Sequence, residues 1–377
     1  MPWEECNAMS RRQEFVMLAN AEGANKAALC RRFGISRRVG YKWLERYQTA
    51  GVAGLGDRSR RPKTSPRRTP EPLEAAVVAV RLTHPAWGGR KIRRVLQNDG
   101  VSPVPAVSTV TDILHRSGLI DPAESAKHVP FIRFEHAAPN DLLQMDFKGH
   151  FAVGSGRCHP LTVVDDHSRF GVVLKAIDNE RGDSVKTALT EAFRIYGLPR
   201  RMTMDNGAPW GAAHTDHGLT PLVVWLIRLG IKVSHSRPYH PQTQGKNERF
   251  NGTLLREVIA PRQFTTMAEV QAAFDRWRDI YNHQRPHEGI ALAVPADRYQ
   301  VSPREFSDVL PPITYPPGVL VRRVQQQGYI SFKGRILKIP KALAGYPVAI
   351  EPSLENDGVT NVRFLTTLVA TFTLNAT

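Results

Sequence analysis

Near Asp141 the hydrophobic period of this chain changes, and that change limits what it can fold into. Before it, apolar residues recur three and four apart; after it, short alternating runs take turns with helical ones. One layer of helices or one sheet cannot satisfy both halves. A length of 377 residues also exceeds one ordinary domain, so several folded units are expected.

The first unit is expected over residues 8–53. Phe15, Val16 and Leu18 predict a helix from Arg11, and Ala28, Leu29 and Phe33 predict a second from Asn25. Gly34-Ile35-Ser36 breaks the pattern, with Ser36 a good N-cap for a third helix running to Tyr47. There Val39 and Trp43 share one face, while Arg38, Lys42 and Arg46 share another. A helix-turn-helix needs that division, one stripe to pack and one basic stripe for the major groove. An ordinary amphipathic helical hairpin reads the same way. Residues 54–71 combine Pro, Gly and base with almost nothing to bury, which predicts a linker. Its arginines suit a minor groove or phosphates, plain solvation, or a nuclear address.

A second helical unit is expected over residues 72–120. Its helices run from Leu73 to Leu82, from a Trp87-Gly88-Gly89-Arg90-Lys91-Ile92 entry to Asn98, and from Ser108, placed as N-cap, to Ser117. Val110, Ile113 and Leu114 are spaced for burial. This too resembles a helix-turn-helix.

Residues 138–302 read as an α/β unit. Strands are expected at Leu142–Phe151, Leu161–Asp165 and Gly171–Ile177, followed by a helix at Val185–Tyr196 and a strand at Arg201–Met204. A helix at Leu222–Leu229, a strand at Ile231–Ser234 and a helix at Gln244–Ile259 complete it. A hairpin leading into alternating helices and strands predicts a mixed sheet flanked by helices. Short stretches at Val319–Val324, Tyr329–Phe332, Ile336–Ile339 and Val348–Ile350 predict a small β-barrel over residues 317–377.

Charge narrows the function classes. There are 51 Lys and Arg against 35 Asp and Glu, a net charge of +16, and residues 1–68 alone hold 15 basic and six acidic side chains. Such an excess fits a polyanion, nucleic acid first. No apolar stretch approaches the roughly 18 residues of a membrane span. The first residues carry acid where a signal peptide would carry base, so the chain is expected to stay inside the cell. Three widely spaced cysteines, Cys6, Cys30 and Cys158, cannot assemble a disulfide framework or a Cys/His zinc cluster from local pairs.

Three acids carry the candidate chemistry. Asp146 interrupts the apolar run Leu142-Leu143-Gln144-Met145-Asp146-Phe147, and an acid in a strand centre is costly unless something neutralises it. Asp205 ends a strand before Asn206-Gly207, at a carboxyl edge where ligands of α/β sheets bind. Glu248 lies one turn into a helix opened by Gln244-Gly245. Three such carboxylates suit two divalent ions about 3.5 to 4 Å apart, one for the attacking and one for the leaving oxygen of a phosphodiester. Magnesium fits that set, and manganese can replace it. Taken singly, each acid reads equally as a cap, a turn residue or a solvated helix acid.

The run Arg237-Pro238-Tyr239-His240-Pro241-Gln242-Thr243-Gln244-Gly245-Lys246-Asn247-Glu248-Arg249-Phe250 resembles the signature around the final acid of integrase-core transposases and retroviral integrases. Gln144-Met145-Asp146-Phe147 and Met204-Asp205-Asn206-Gly207 resemble their first and second acidic motifs, 59 positions apart. From Asp205 to Glu248 there are 43 positions, more than in the retroviral-type pattern. The surplus, from Pro209-Trp210-Gly211 to Gly218, resembles the bacterial insertion-sequence group IS481 and is expected to form a surface loop. Tyr281-Asn282 with Arg285-Pro286-His287 resembles the motif that closes the core.

The resemblance implies an RNase H-like core acting as a DDE transposase, with metal-dependent cleavage at transposon ends and 3′-hydroxyl strand transfer into target DNA. It also implies double-stranded DNA as partner, a homodimer or larger assembly, and a bacterial, cytoplasmic, nucleoid-associated setting. The candidate DNA contacts are Arg37, Arg38, Tyr41, Lys42 and Arg46, the linker residues Arg58, Arg60 and Arg61, Arg90 and Lys91, and Lys246 and Arg249 beside the final acid. Asp165 and Asp166 are expected to be structural, and His240 and His287 to position DNA or pack locally. A catalytically silent DNA-binding repressor and a ribonuclease acting on RNA–DNA hybrids are the alternatives.

Overall fold

The computed structural model describes residues 8–58, 68–120, 135–211, 219–235, 245–353, 356 and 358–373. The chain divides into two compact units, Met1–Arg68 and Thr69–Thr377.

The first unit holds helices α1 (Ala8–Ala19), α2 (Lys26–Arg32) and α3 (Arg37–Ala50). The side chain of Ser36 accepts the N–H of Val39, the cap the sequence predicts, and the side chain of Asn25, where α2 was expected to begin, accepts that of Ala28. Phe15, Val16, Ala19, Cys30, Trp43, Leu44 and Leu55 make its core. Leu18 and Ala28 are instead exposed, Ala19 and Cys30 taking the inward places one and two residues on. A Cβ at Gly40 would crowd Cys30 and Phe15, so α3 can approach its neighbours this closely only through glycine.

The second unit opens with α4 (Glu71–Thr83), α5 (Gly89–Asn98) and α6 (Val107–Arg116), packed around Val77, Trp87, Ile92, Leu96, Val110, Ile113 and Leu114. Ser108 is not the N-cap of α6. The chain turns helical after Ala106, which offers no side-chain cap, and Ser108 falls inside the first turn.

The core sheet is built of β1 (Leu143–Phe147), β2 (Phe151–Val153), β3 (Gly156–Asp165), β4 (Gly171–Ile177), β5 (Arg201–Met204) and β6 (Lys232–His235). β3 pairs antiparallel with β1, β2 and β4, while β1, β5 and β6 run parallel, so the sheet is mixed as expected. The expected strand Leu142–Phe151 is two strands. Phe147 faces Leu161 but Phe151 faces Cys158, and that register shift leaves Lys148–His150 unpaired as strand.

Helices α7 (Gly182–Tyr196) and α8 (Pro221–Arg228) share one core with Leu143, Met145, Leu161 and Val163. Helices α9 (Gly245–Leu254) and α10 (Met267–His283) share another with Cys158, Val164 and Leu174. Strand side chains alternate between faces, so Gln144 and Asp146 turn away from the α7–α8 core towards α9. A π-helical turn, Leu255–Ile259, extends α9 to the residue expected from sequence.

Helix α10 was not anticipated, although its signals are local. Thr266 and Glu269 form a capping box, and Val270, Ala273, Phe274, Trp277 and Tyr281 repeat at helical spacing. Asn282 near its end accepts the N–H of Gly171 at 2.8 Å and donates to the carbonyl of Gly171 at 3.2 Å, fastening α10 to β4.

The tail is not a closed barrel among the described residues. Strands β10 (Pro347–Pro352), β11 (Val359–Phe364) and β12 (Thr367–Thr373) extend from β7 (Leu320–Arg323) as an open antiparallel sheet, and β8 (Tyr329–Phe332) with β9 (Arg335–Lys338) forms a separate hairpin. Alternation in short strands reports one buried face and says nothing about closure. No helix among the described residues is long and apolar enough to cross a membrane.

Candidate active site

Gln144 of β1 stands beside Thr203 of β5 in the parallel register. Two residues on come Asp146, still in β1, and Asp205, just past the end of β5, so the sheet brings the two aspartates to one carboxyl edge. Glu248 approaches from α9 across the face to which Asp146 turns. Burial, and then the negative charges of Asp205 and Glu248, push Asp146 up to about 6. The three carboxylates are therefore electrostatic neighbours. Among the described residues none of them has an ion-pair partner, and no three acidic, histidine or cysteine side chains are drawn together at ligating distance.

Two asparagines set α9 on β1. The backbone N–H of Asn247 donates to Gln144 Oε1 at 3.1 Å, and its amide donates to the Gln144 carbonyl at 3.0 Å. Thr162 on β3 donates its hydroxyl to Asn247 Oδ1 at 2.8 Å. One turn on, the amide of Asn251 donates to Asp146 Oδ2 at 3.1 Å. Asn251 is only 6% exposed, and its Oδ1 is a buried oxygen with no hydrogen-bond partner. Sequence reasoning missed Asn251, whose signal is its place three residues after Glu248, on the buried side of the same helix.

The loop after β5 holds Asp205. The N–H of Gly207 donates to Asp205 Oδ1 at 3.0 Å, and the indole N–H of Trp210 donates to the same oxygen. Trp210 is 1% exposed and stacks on Phe147, with centroids 5.0 Å apart. The start of the inserted stretch is thus built into the site and is not a surface loop. Residues 212–218 of it lie outside the described residues.

Lys246 is placed differently from its expected role. Its ammonium lies 2.6 Å from Asp166 Oδ1, with the two side chains 13% and 1% exposed. Asp166 also accepts from Gln144 Nε2 and the N–H of His136. Lys246 therefore closes a buried network behind the site rather than facing outward to a phosphate. Asp165 accepts from Ser168 and Asn140, and burial holds its carboxyl above the usual range. Arg249 is exposed beside Glu248.

Lys91 is likewise corrected. Burial, and then the charge of Arg285, push it down to about 8, with Glu257 and Glu288 acting in the opposite sense. It is half-buried near the ion pair of Arg285 and Glu257, which are 3.1 Å apart, while Arg90 is exposed. His287 is buried against Tyr281, so it packs locally. In the first unit Arg37, Arg38, Tyr41 and Lys42 are exposed along α3. Lys42 and Arg46 lie over the Trp43 ring, at 4.5 and 5.0 Å. Arg58 is exposed, whereas Arg60, Arg61 and the run Arg237–Gln244, with His240, lie outside the described residues.

Comparison with known families agrees with this division. Residues 136–241 and 229–295 match integrase core domains, residues 11–63 a helix-turn-helix domain, residues 39–114 a homeodomain-like domain, and residues 319–377 the C-terminal domain of IS481 family transposases. The chain is 29% identical over 160 residues to the 31.7 kDa protein of insertion element IS407 of Burkholderia multivorans, covering 42% of this chain and 55% of that protein. It is 26% identical over 280 residues to the 39.2 kDa protein of insertion element IS476 of Xanthomonas euvesicatoria, covering 73% and 78%. The chain thus spans just over half the length of the IS407 protein and more than three quarters of the IS476 protein. Among solved structures, the catalytic core domain of HTLV-2 integrase, in complex with magnesium, is 17% identical with a TM-score of 0.34, covering 44% of this chain and 99% of that one. Integrase-core matches and an IS481 tail on one chain, together with insertion-element relatives along most of its length, support an IS481-type DDE transposase.

Proposed function

We propose that the chain cuts DNA at transposon ends and joins the freed 3′ hydroxyl to target DNA, using Asp146, Asp205 and Glu248. The observation that carries this is the parallel register that delivers Asp146 and Asp205 to one edge, with Glu248 close enough to raise the Asp146 pKa. Like charges that Lys148 offsets only in part call for a cation, and hard carboxylate oxygens beside the unpartnered Oδ1 of Asn251 fit Mg2+ or Mn2+. The three carboxylates would hold the ions, two in number. When bound, they supply charge neutralisation at the scissile phosphate and a lowered pKa for the attacking hydroxyl.

The protein's own part is positioning. Asn251 orients Asp146, the turn after β5 orients Asp205, and Asn247 fixes the helix that presents Glu248. The exposed basic face of α3 and Arg90 support double-stranded DNA as the partner, terminal repeats and target alike. Two ends must be joined, so the working form is a dimer or larger assembly.

The test is joining of a labelled duplex, taken from the DNA flanking the gene, into a plasmid with Mg2+. Joined product from wild type and none from Glu248→Gln supports the reading. Tight binding by folded wild type, with no cutting in Mg2+ or Mn2+, overturns it in favour of a binding protein.

A further inference from the structure

Trp210 is buried almost completely, yet it lies in a loop and not in a helix or strand. Its ring stacks on Phe147, the residue next to Asp146, at 5.0 Å and 21° between planes. Its indole N–H donates to Asp205 Oδ1, the oxygen that also accepts the N–H of Gly207. One side chain therefore touches the strand of the first aspartate and the carboxylate of the second. The loop is shaped to allow this. The N–H of Gly211 donates to the carbonyl of Gly207 at 2.7 Å, and a Cβ at Gly211 would collide with the Asn206 carbonyl. The turn that folds Trp210 back under Asp205 thus requires glycine at the next position.

Two donors on Oδ1 hold the Asp205 carboxylate in one rotation. Asp146 is constrained in the same way, with Asn251 on one of its oxygens. An indole N–H suits this task because it donates and cannot accept, so it holds the ionised form of its partner without competing for a cation.

We infer that Trp210 is a positioning residue for the aspartate pair: its N–H fixes the rotation of Asp205 while its ring, anchored on Phe147, fixes the distance to Asp146. Divalent-cation affinity therefore depends on a side chain that does not touch the cation. The inference rests on the proposed metal-dependent reading of the site.

The test uses full-length protein and Mn2+ as probe, by calorimetric titration, beside thermal melting and the Mg2+ dependence of joining. Trp210→Phe keeps a ring for the stack and removes the donor. It is expected to melt close to wild type, to bind Mn2+ about 10-fold more weakly, and to need correspondingly more Mg2+ for half-maximal joining. Trp210→His, which restores a donor, is expected to recover part of the affinity. Mn2+ binding by folded Trp210→Phe within twofold of wild type overturns the proposal. If Trp210→Phe does not fold, Phe147→Leu, which retains the indole and loosens only its anchor, is expected to weaken Mn2+ binding severalfold, and unchanged binding overturns the proposal. Asp205→Asn separates the two readings. If it loses Mn2+ while Trp210→Phe does not, the role of Trp210 falls and the metal site stands. If Asp205→Asn binds Mn2+ like wild type, the metal site itself falls.

Discussion

Asn251 Nδ2 donates to Asp146 Oδ2 at 3.1 Å, one helical turn beyond the point where Asn247 grips Gln144. Two residues of strand thus match four of helix, and the candidate catalytic helix has a single seat on β1. Asn251→Ala removes the guide for Asp146 along with an oxygen that has no partner. Joining is expected to fall by roughly 10- to 100-fold, while the melting temperature changes little, because the lost hydrogen bond is offset by the lost orphan. Parallel activity and melting curves check this.

Asp146 links activity to stability through pH. Its carboxyl is raised from 3.8 to about 6, so in metal-free protein the ionised form burdens the fold. That cost is present above about pH 6 and is relieved as pH falls towards the unfolded value. Asp146→Asn is expected to stabilise the metal-free protein at neutral pH by on the order of 1–2 kcal/mol, a gain that shrinks below pH 6 and vanishes near pH 4. Denaturant melts across that window read it directly, and joining by the same variant is expected to be absent.

Lys246→Met leaves Asp166 buried without its cation. The expected loss is roughly 3–5 kcal/mol, and Lys246→Met with Asp166→Asn is expected to recover much of it. A phosphate contact would behave differently, with stability kept and the salt dependence of DNA binding reduced.

That salt dependence is expected of α3. Arg38 and Lys42 are exposed there, and changing both to Ala is expected to lower the slope of log K against log salt by about 0.9 for each phosphate lost, with the fold intact. Binding isotherms at three or more salt concentrations measure it.

Much of this architecture is written locally. The cap at Ser36, the period change near Asp141 and the strand ends beside Asp146 and Asp205 depend on near neighbours in sequence, and each was legible. The ion pair of Lys246 and the half-buried place of Lys91 were not legible, for the opposite reason. A lysine looks the same in sequence whether it meets water or buried charges, and Asp166, which pairs with Lys246, and Glu257, which attracts Lys91, stand 80 and 166 positions away. Trp210 escaped notice because an insertion relative to a family pattern invites reading as a loop, whereas its burial depends on Phe147. The open tail sheet could not be told from a barrel because closure depends on a pairing between distant strands.

The clasp of α9 on β1 seats the third acid through contacts that the helix itself makes. Hydrogen bonds to Gln144, Thr162 and Asp146 seat the helix, not the tether that leads to it. Changes in chain length just before Gly245 are therefore expected to leave the seat of Glu248 in place.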